Sequence, residues 1–412
     1  MTTRSPTITA FEHQTLSVGE VLNGCLFHQE HWETLVQMHT TLPLPYYTLT
    51  HRGIKLSYYV GVLVTPSLTL EILPKADAHT SPSLLLWRHC LIDMVAECRL
   101  LKPRLPHATV PTFGAGTLLD FFLLDFLAEV DTLCRRGLVK QYQVVEENVR
   151  SLKGRLLFAQ HLRRNTVHQE RFFVKHQPYT LQHRFHQLFK HALRIAVRAS
   201  HHPLVQQRSR RLLSYFADVA DLPRRVLQQP LTYHRQTVAY RTATEIAQQI
   251  LAADFSHLYP GTTHRGFALL FDMNRIFEEF VYQRFRRLAG SQGYTVHRQT
   301  SRSLWGETQA RPDIVVELPA GRGRVVIDTK WKVLTSARPA AADLHQLYVY
   351  NQLFGARRGI LLYPNVHHFA PQQRRFEGPG DSYAEVHFVT IADEEQKSLN
   401  PRLDKWLLSL LS

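Results

Sequence analysis

The sequence predicts an α/β protein, α+β in its overall order, built from three segments. Residues 55–77 pair short apolar runs around turn residues, as strands do. Residues 131–210 carry 16 Lys and Arg against 4 Asp and Glu, inside a stretch whose spacing is mainly helical. From residue 262 the order is helix, three strands, helix, two strands, which suggests a mixed sheet with helices on its faces. The expected division is 1–140, β-rich and then helical; 141–258, basic and mainly helical; and 259–412, the mixed-sheet domain. A length of 412 residues suits two or three domains.

Each element has a local reason. "KLSYYVGVLVTPSLTLEILPKAD" (55–77) predicts two strands around a Thr65-Pro66-Ser67 turn. Residues 1–80 as a whole read as mostly β. Residues 82–102 have helical spacing, with a Ser ahead as the N-cap. Residues 102–116 are rich in Pro and Gly and read as a loop. Residues 117–136 predict a strongly apolar helix. Its run "LLDFFLLDFLAEV" is too short to span a bilayer, and Asp120 and Asp125 interrupt it, so it reads as buried. Residues 146–165 lead into the basic segment, and 178–255 predict helices with a break at 228–233. Residues 267–288 predict a long amphipathic helix, with Leu270, Met273, Ile276, Phe277, Phe280, Val281 and Leu288 near one stripe. Strands are expected at 294–306, 311–318 and 323–332, a helix at 341–354, and strands at 357–364 and 384–392.

A net charge of +15 points to a polyanionic partner. Its concentration in residues 131–210 favours phosphate contact along a basic face over a merely solvated helical surface. Cys25, Cys90, Cys98 and Cys134 form neither a CxxC pair nor a zinc-spaced cluster, which suits reduced thiols in the cytoplasm. The first twenty residues are polar and lack the apolar core of a secretion signal. No membrane partner is expected. No GxxxxGK[ST] loop is present, so no nucleotide is expected to bind in that manner.

The chemistry is expected in "ARPDIVVELPAGRGRVVIDTKWK" (310–332). Asp313 opens one strand and Asp328 closes the next. If the strand ends converge, two carboxylates repel each other unless a cation lies between them or one is protonated. A hard divalent ion, Mg²⁺ first, resolves that repulsion with oxygen ligands. Alternation puts Lys330 on the same strand face as Asp328. Two acids, a metal and a lysine suit phosphodiester hydrolysis, the lysine orienting water or stabilising transition-state charge. Burial would lower the Lys330 pKa and the acids would raise it, and the sequence leaves the balance open. Structural readings stand beside these. Asp313 suits a turn after Pro312, and Asp328 suits a buried ion pair with Lys330 or Lys332.

The pattern D-x₁₄-D-x-K, in the order strand, Gly-rich turn, strand, helix, resembles the PD-(D/E)xK nuclease superfamily. The resemblance implies a glutamate from the preceding helix at the metal site. Glu278 in "NRIFEEFV", directly after an aromatic, is favoured over Glu279, although the two also suit a solvated pair. Gln346 and Tyr350 in "HQLYVY" share a helical face and resemble the QxxxY motif of related nucleases, although an ordinary amphipathic helix carries such pairs too. The expected catalytic set is Asp313, Asp328, Lys330, Glu278 and Gln346, with Asp313, Asp328, Glu278 and Thr329 holding Mg²⁺.

Over most of its length the chain resembles the McrC family, the nuclease subunits of McrBC modification-dependent restriction systems. "YYVGVLVTPSLTLEILPKAD", "SLKGRLLFAQHLRRN", "LFDMNRIFEEFV" and "ARPDIVV…VVIDTKWK…DLHQLYVYNQLF…GILLYP" carry the match, in that order. The resemblance implies a DNA endonuclease subunit whose N-terminal part docks on an McrB-type AAA+ GTPase oligomer and stimulates GTP hydrolysis, the partner reading methylated cytosine. Double-stranded DNA is the second expected partner. The alternatives are a RecB-like or Cas4-like end-processing nuclease and a catalytically inert scaffold that activates a GTPase. The scattered cysteines argue against a Cas4-like cluster, and the intact Asp313, Asp328 and Lys330 argue against decay.

Overall fold

In the computed structural model the structure describes residues 6–40, 42, 44–75, 83–98, 116–221, 223–227, 229–255, 266–393 and 395–411. These form two compact units. One combines the described residues up to Leu118 with those from 266 onward; the other runs from Leu119 to Phe255. The expected loop at 102–116 lies almost wholly outside the described residues.

In the first unit, β1 (Thr7–Phe11), β2 (Tyr59–Val64) and β3 (Thr69–Leu73) share a sheet. β1 runs parallel to β3, and β2 antiparallel to it, as the Thr65-Pro66-Ser67 turn requires. The residues of β2 and β3 are all buried, which explains their unbroken apolar runs. Buried Glu71 is held by Arg88, 2.5 Å away, and by the Thr9 hydroxyl at 3.0 Å. A helix, α1 (Gln29–His39), interrupts what reads as β in sequence, and α2 (Leu84–Glu97) starts where Ser83 Oγ accepts from the Leu86 amide at 3.3 Å.

The second unit opens with α3 (Leu118–Arg136), close to the expected bounds. Its next part differs from a mainly helical reading. β4 (Val145–Val149), β5 (Arg155–Leu156) and β6 (Phe172–His176) form an antiparallel sheet in the order β4-β6-β5, with the short helix α4 (Phe158–Arg164) beside it. The charged side chains on these strands, Glu146, Glu147, Arg155 and Lys175, hide their alternation. The helices α5 (Arg184–Ala199), α6 (Pro203–Ser214) and α7 (Arg241–Ala253) follow. Phe126 of α3 meets Phe189 of α5 at 6.4 Å between ring centres, and Phe189 stacks on Tyr240 at 5.8 Å.

The chain then returns to the first unit. Phe267–Asp272 is not the first turn of a helix but a strand, β7, antiparallel to β2. "FALLFD" adds the fourth strand of the first sheet, so the N- and C-terminal parts of the chain share one unit where the sequence reading separates them. Gly61, at φ +137°, makes this pairing possible: a Cβ there would stand 2.1 Å from the Leu269 carbonyl oxygen. Asp272 ends the strand and caps α8 (Met273–Gln292), accepting from the Asn274 amide at 2.9 Å. Met273, Ile276, Phe277, Phe280 and Val281 of the expected stripe are buried.

The expected strand at 294–306 is two: β8 (Thr295–Arg298) and β9 (Arg302–Trp305), the latter forming a separate hairpin with β10 (Thr308–Ala310). Then follow β11 (Ile314–Glu317), β12 (Arg324–Thr329), α9 (Ala341–Phe354), β13 (Arg358–Pro364), β14 (Gln372–Arg375), β15 (Tyr383–Val389) and α10 (Leu403–Ser409). The mixed sheet has six strands in the order β8-β11-β12-β13-β15-β14. β12, β13 and β15 are mutually parallel and the other pairs antiparallel. Val326 packs with Leu347, Tyr350 and Phe354 of α9, whereas Trp331 meets Phe277 of α8 at 5.2 Å. Even-numbered residues at the end of β12 therefore face α9 and odd-numbered ones face α8. Among the described residues no helix is long and apolar enough to cross a membrane.

Candidate active site

The register of β11 and β12 pairs Ile314 with Ile327. One step further puts Asp313 opposite Asp328, and like charges directly opposite repel. Both lie where the strands leave the sheet core. Asp328 is 2% exposed, so little water screens it. Burial and the neighbouring Asp313 carboxylate push Asp328 well above the usual carboxylate range. Burial also raises Asp313, although the Thr329 amide and hydroxyl each donate to its Oδ2 at 2.7 Å. Oδ1 of Asp313 accepts no hydrogen bond among the described residues.

Lys330 faces α9 with Asp328, as alternation requires. Its Nζ lies 2.6 Å from Asp328 Oδ2 and donates to Gln346 Oε1 at 3.0 Å. Burial alone would lower the Lys330 pKa, but the Asp328 and Asp313 charges raise it. Gln346 in turn donates to the Tyr350 hydroxyl at 2.7 Å, and that hydroxyl donates to the Arg311 carbonyl at 3.1 Å. Gln346 and Tyr350 therefore join Lys330 to the segment leading into Asp313. Of the two expected partners for Asp328, Lys330 takes the role. Lys332 instead reaches Asp343, 2.5 Å away, which also accepts from Tyr363 at 2.7 Å.

Glu278 comes from the α8 side. Burial and the Asp313 charge raise its pKa, so the two acids sense each other. Its Oε1 accepts from Gln299 at 2.6 Å and lies 3.7 Å from Arg298, which also pairs with Glu279. Thr329 enters the site as a donor to Asp313 through both its amide and its hydroxyl, which leaves its main-chain oxygen as its group for a cation. Among the described residues no three His, Cys, Asp or Glu side chains stand together as a metal cage. The opposed pair Asp313 and Asp328 fits a hard divalent cation, because such an ion relieves the repulsion between two buried carboxylates. All four cysteines are free thiols, and burial raises the pKa of Cys90, Cys98 and Cys134, as for inert packed thiols.

Sequence reasoning misses the support behind Trp331. Its indole donates to Glu12 Oε1 at 2.6 Å, across 319 residues. Glu12 also accepts from the Lys75 amide at 3.1 Å, and burial pushes its carboxyl up to about 7. No local pattern marks Glu12. The only hint is that a Trp between two lysines needs a partner for its N–H.

A profile for the McrBC 5-methylcytosine restriction system component family matches residues 54–364. The chain belongs to this family. A chain of the half-complex from the tetradecameric assembly of Thermococcus gammatolerans McrB AAA+ hexamers with bound McrC has a similar fold: TM-score 0.72 and 18% identity over 98% of this chain and 99% of that one. A chain of the T. gammatolerans McrBC complex aligns with TM-score 0.52 and 18% identity over 68% of this chain and 88% of that one. No curated protein sequence matches. For this McrBC family member the matched region spans β2, the second unit and the strands that carry Asp328 and flank Asp313 and Lys330.

Proposed function

We propose that this chain is the McrC-type, Mg²⁺-dependent DNA endonuclease subunit of a McrBC-like 5-methylcytosine restriction complex in the cytoplasm, acting with an McrB-type AAA+ GTPase oligomer whose GTP hydrolysis it stimulates. The observation that carries the reading is the opposed Asp313 and Asp328 with Lys330 beside them, in a family member that has no phosphate loop of its own. The similar chain from an McrB assembly with bound McrC supports the partner.

Asp313 and Asp328 would hold the cation together with the Thr329 main-chain oxygen, and Glu278, which stands in no three-acid cage with them, would act on the pair through its charge. Mg²⁺, when bound there, would polarise a phosphoryl oxygen and make a bound water more acidic. Lys330, an ammonium aimed by Gln346, offsets the charge that builds on the phosphoryl oxygens as water attacks phosphorus and the ester oxygen leaves. Tyr350 and Arg311 fix Gln346. The Asp328–Lys330 contact keeps the ammonium at the strand end rather than in solvent.

The test uses the full chain with its GTPase partner, GTP, Mg²⁺ and methylated duplex DNA. The expected result is cleavage by the wild type and none by Asp328→Ala, with GTPase stimulation intact in both. Cleavage surviving in Asp328→Ala refutes the site. Cleavage absent from the wild type while GTPase stimulation persists favours the inert activator.

A further inference from the structure

The second unit carries a cavity that the nuclease site does not use. It opens between α3 and α6 with a volume of about 480 Å³. Four arginines line it: Arg135 and Arg136 in the last turn of α3, and Arg208 and Arg211 from α6. A single lining carboxylate, Asp131, answers them. It lies 2.8 Å from Arg135 and 2.7 Å from Arg211. Arg136 and Arg208 have no carboxylate partner among the described residues.

Four guanidiniums would normally disperse. Here the C-terminal dipole of α3 favours Arg135 and Arg136, and Asp131 ties Arg135 and Arg211. Leu127 and Leu212, both buried, give the cavity a firm floor. The result is a concave cationic site in which Asp131 fixes two guanidiniums and two further planar forks stay uncommitted, the groups that bind phosphate oxygens bidentately.

We infer that this pocket binds a backbone phosphate of duplex DNA and so holds the strand by the second unit while the nuclease site acts. The inference rests on the DNA-cleaving reading above and adds to it a separate anchoring site. A phosphodiester fits better than an acidic peptide because the segment 131–210 carries 16 cationic against 4 acidic residues, a surplus that favours a long polyanion.

The test is binding of a labelled 30-base-pair duplex to the full chain in EDTA, across a salt series. Arg136→Ala/Arg208→Ala is expected to weaken binding about tenfold at low salt and to lower the slope of log K against log salt by roughly 2. Asp131→Asn frees two more guanidiniums and is expected to tighten binding. Arg136→Lys/Arg208→Lys should recover most of the slope but only part of the affinity. Arg150→Ala/Arg163→Ala, equal in charge change but outside the pocket, should lose less. An equal loss there, or unchanged binding in Arg136→Ala/Arg208→Ala, overturns the pocket. So does a pair of alanines that abolishes poly-glutamate or pyrophosphate binding and leaves DNA binding intact. A wild type that binds no duplex overturns this inference, whereas the endonuclease reading stands or falls on cleavage with the GTPase partner, GTP and Mg²⁺ present.

Discussion

Replacing Glu12 with glutamine tests whether the N-terminal strand supports the candidate site through a costly buried acid. Glu12 is 7% exposed, and its Oε2 accepts no hydrogen bond among the described residues. Burial raises its pKa from 4.5 to about 7. A carboxyl with a folded-state pKa above its unfolded value stabilises most below the unfolded value, and that contribution disappears as pH rises through the folded value. The window is therefore pH 4.5 to about 7, with the loss complete above it. A shift of this size corresponds to roughly 3 kcal/mol. His13 Nε2 is 4.0 Å from Oε2, but burial and Lys55 lower its pKa, so it brings no counter-charge at the top of the window. The substituted amide keeps an oxygen for Trp331 and the Lys75 amide and removes the charge. Thermal unfolding at pH 5 and pH 8.5 is the assay. At pH 8.5 Glu12→Gln should melt roughly 5 °C higher than the wild type, and the gap should shrink towards pH 5. A gap of equal size at both pH values, or a less stable variant at pH 8.5, refutes the reasoning.

Two further outcomes are expected. Mg²⁺ at about a hundred times its dissociation constant should stabilise the wild type by roughly 2.7 kcal/mol in a thermal shift, and EDTA or Asp328→Asn should abolish the shift. A wild type indifferent to Mg²⁺ would remove the cation from Asp313 and Asp328. Gly61→Ala should destabilise the first unit by at least about 2 kcal/mol, because its Cβ would collide with the Leu269 carbonyl at a positive φ. Unfolding of the variant at the wild-type midpoint would show that the β2–β7 pairing is looser than described.

What was legible in the sequence followed short-range periodicity. Asp328 and Lys330 share a face because they are two apart in a strand, and Gln346 and Tyr350 because they are four apart in a helix. The opposition of Asp313 and Asp328 needed only an antiparallel pairing across a Gly-rich turn. The helix at 117–136 was plain from its length and apolarity. Phe267–Asp272 misled because "FALLFD" is a short apolar run next to a helix, where strand and helix look alike. The β4–β6 sheet was hidden by exposed Lys, Arg and Glu side chains on its strands. Contacts such as Trp331 with Glu12, and Arg284 with Glu97 and Asp404, depend on tertiary closure across 319, 187 and 120 residues, and no local pattern encodes them.

The pairing of β2 with β7 also sets a timetable for synthesis. Val64 leaves the ribosome roughly 200 residues before Phe267, which at ordinary elongation rates is a delay of about 10–40 seconds. The whole second unit is translated within that interval and can fold while the first sheet still lacks its fourth strand. Until then the outer edge of β2 offers unpaired amides and carbonyls on an apolar ribbon, the kind of edge that captures foreign strands. The nascent chain therefore has a defined period of vulnerability, which ends when "FALLFD" arrives.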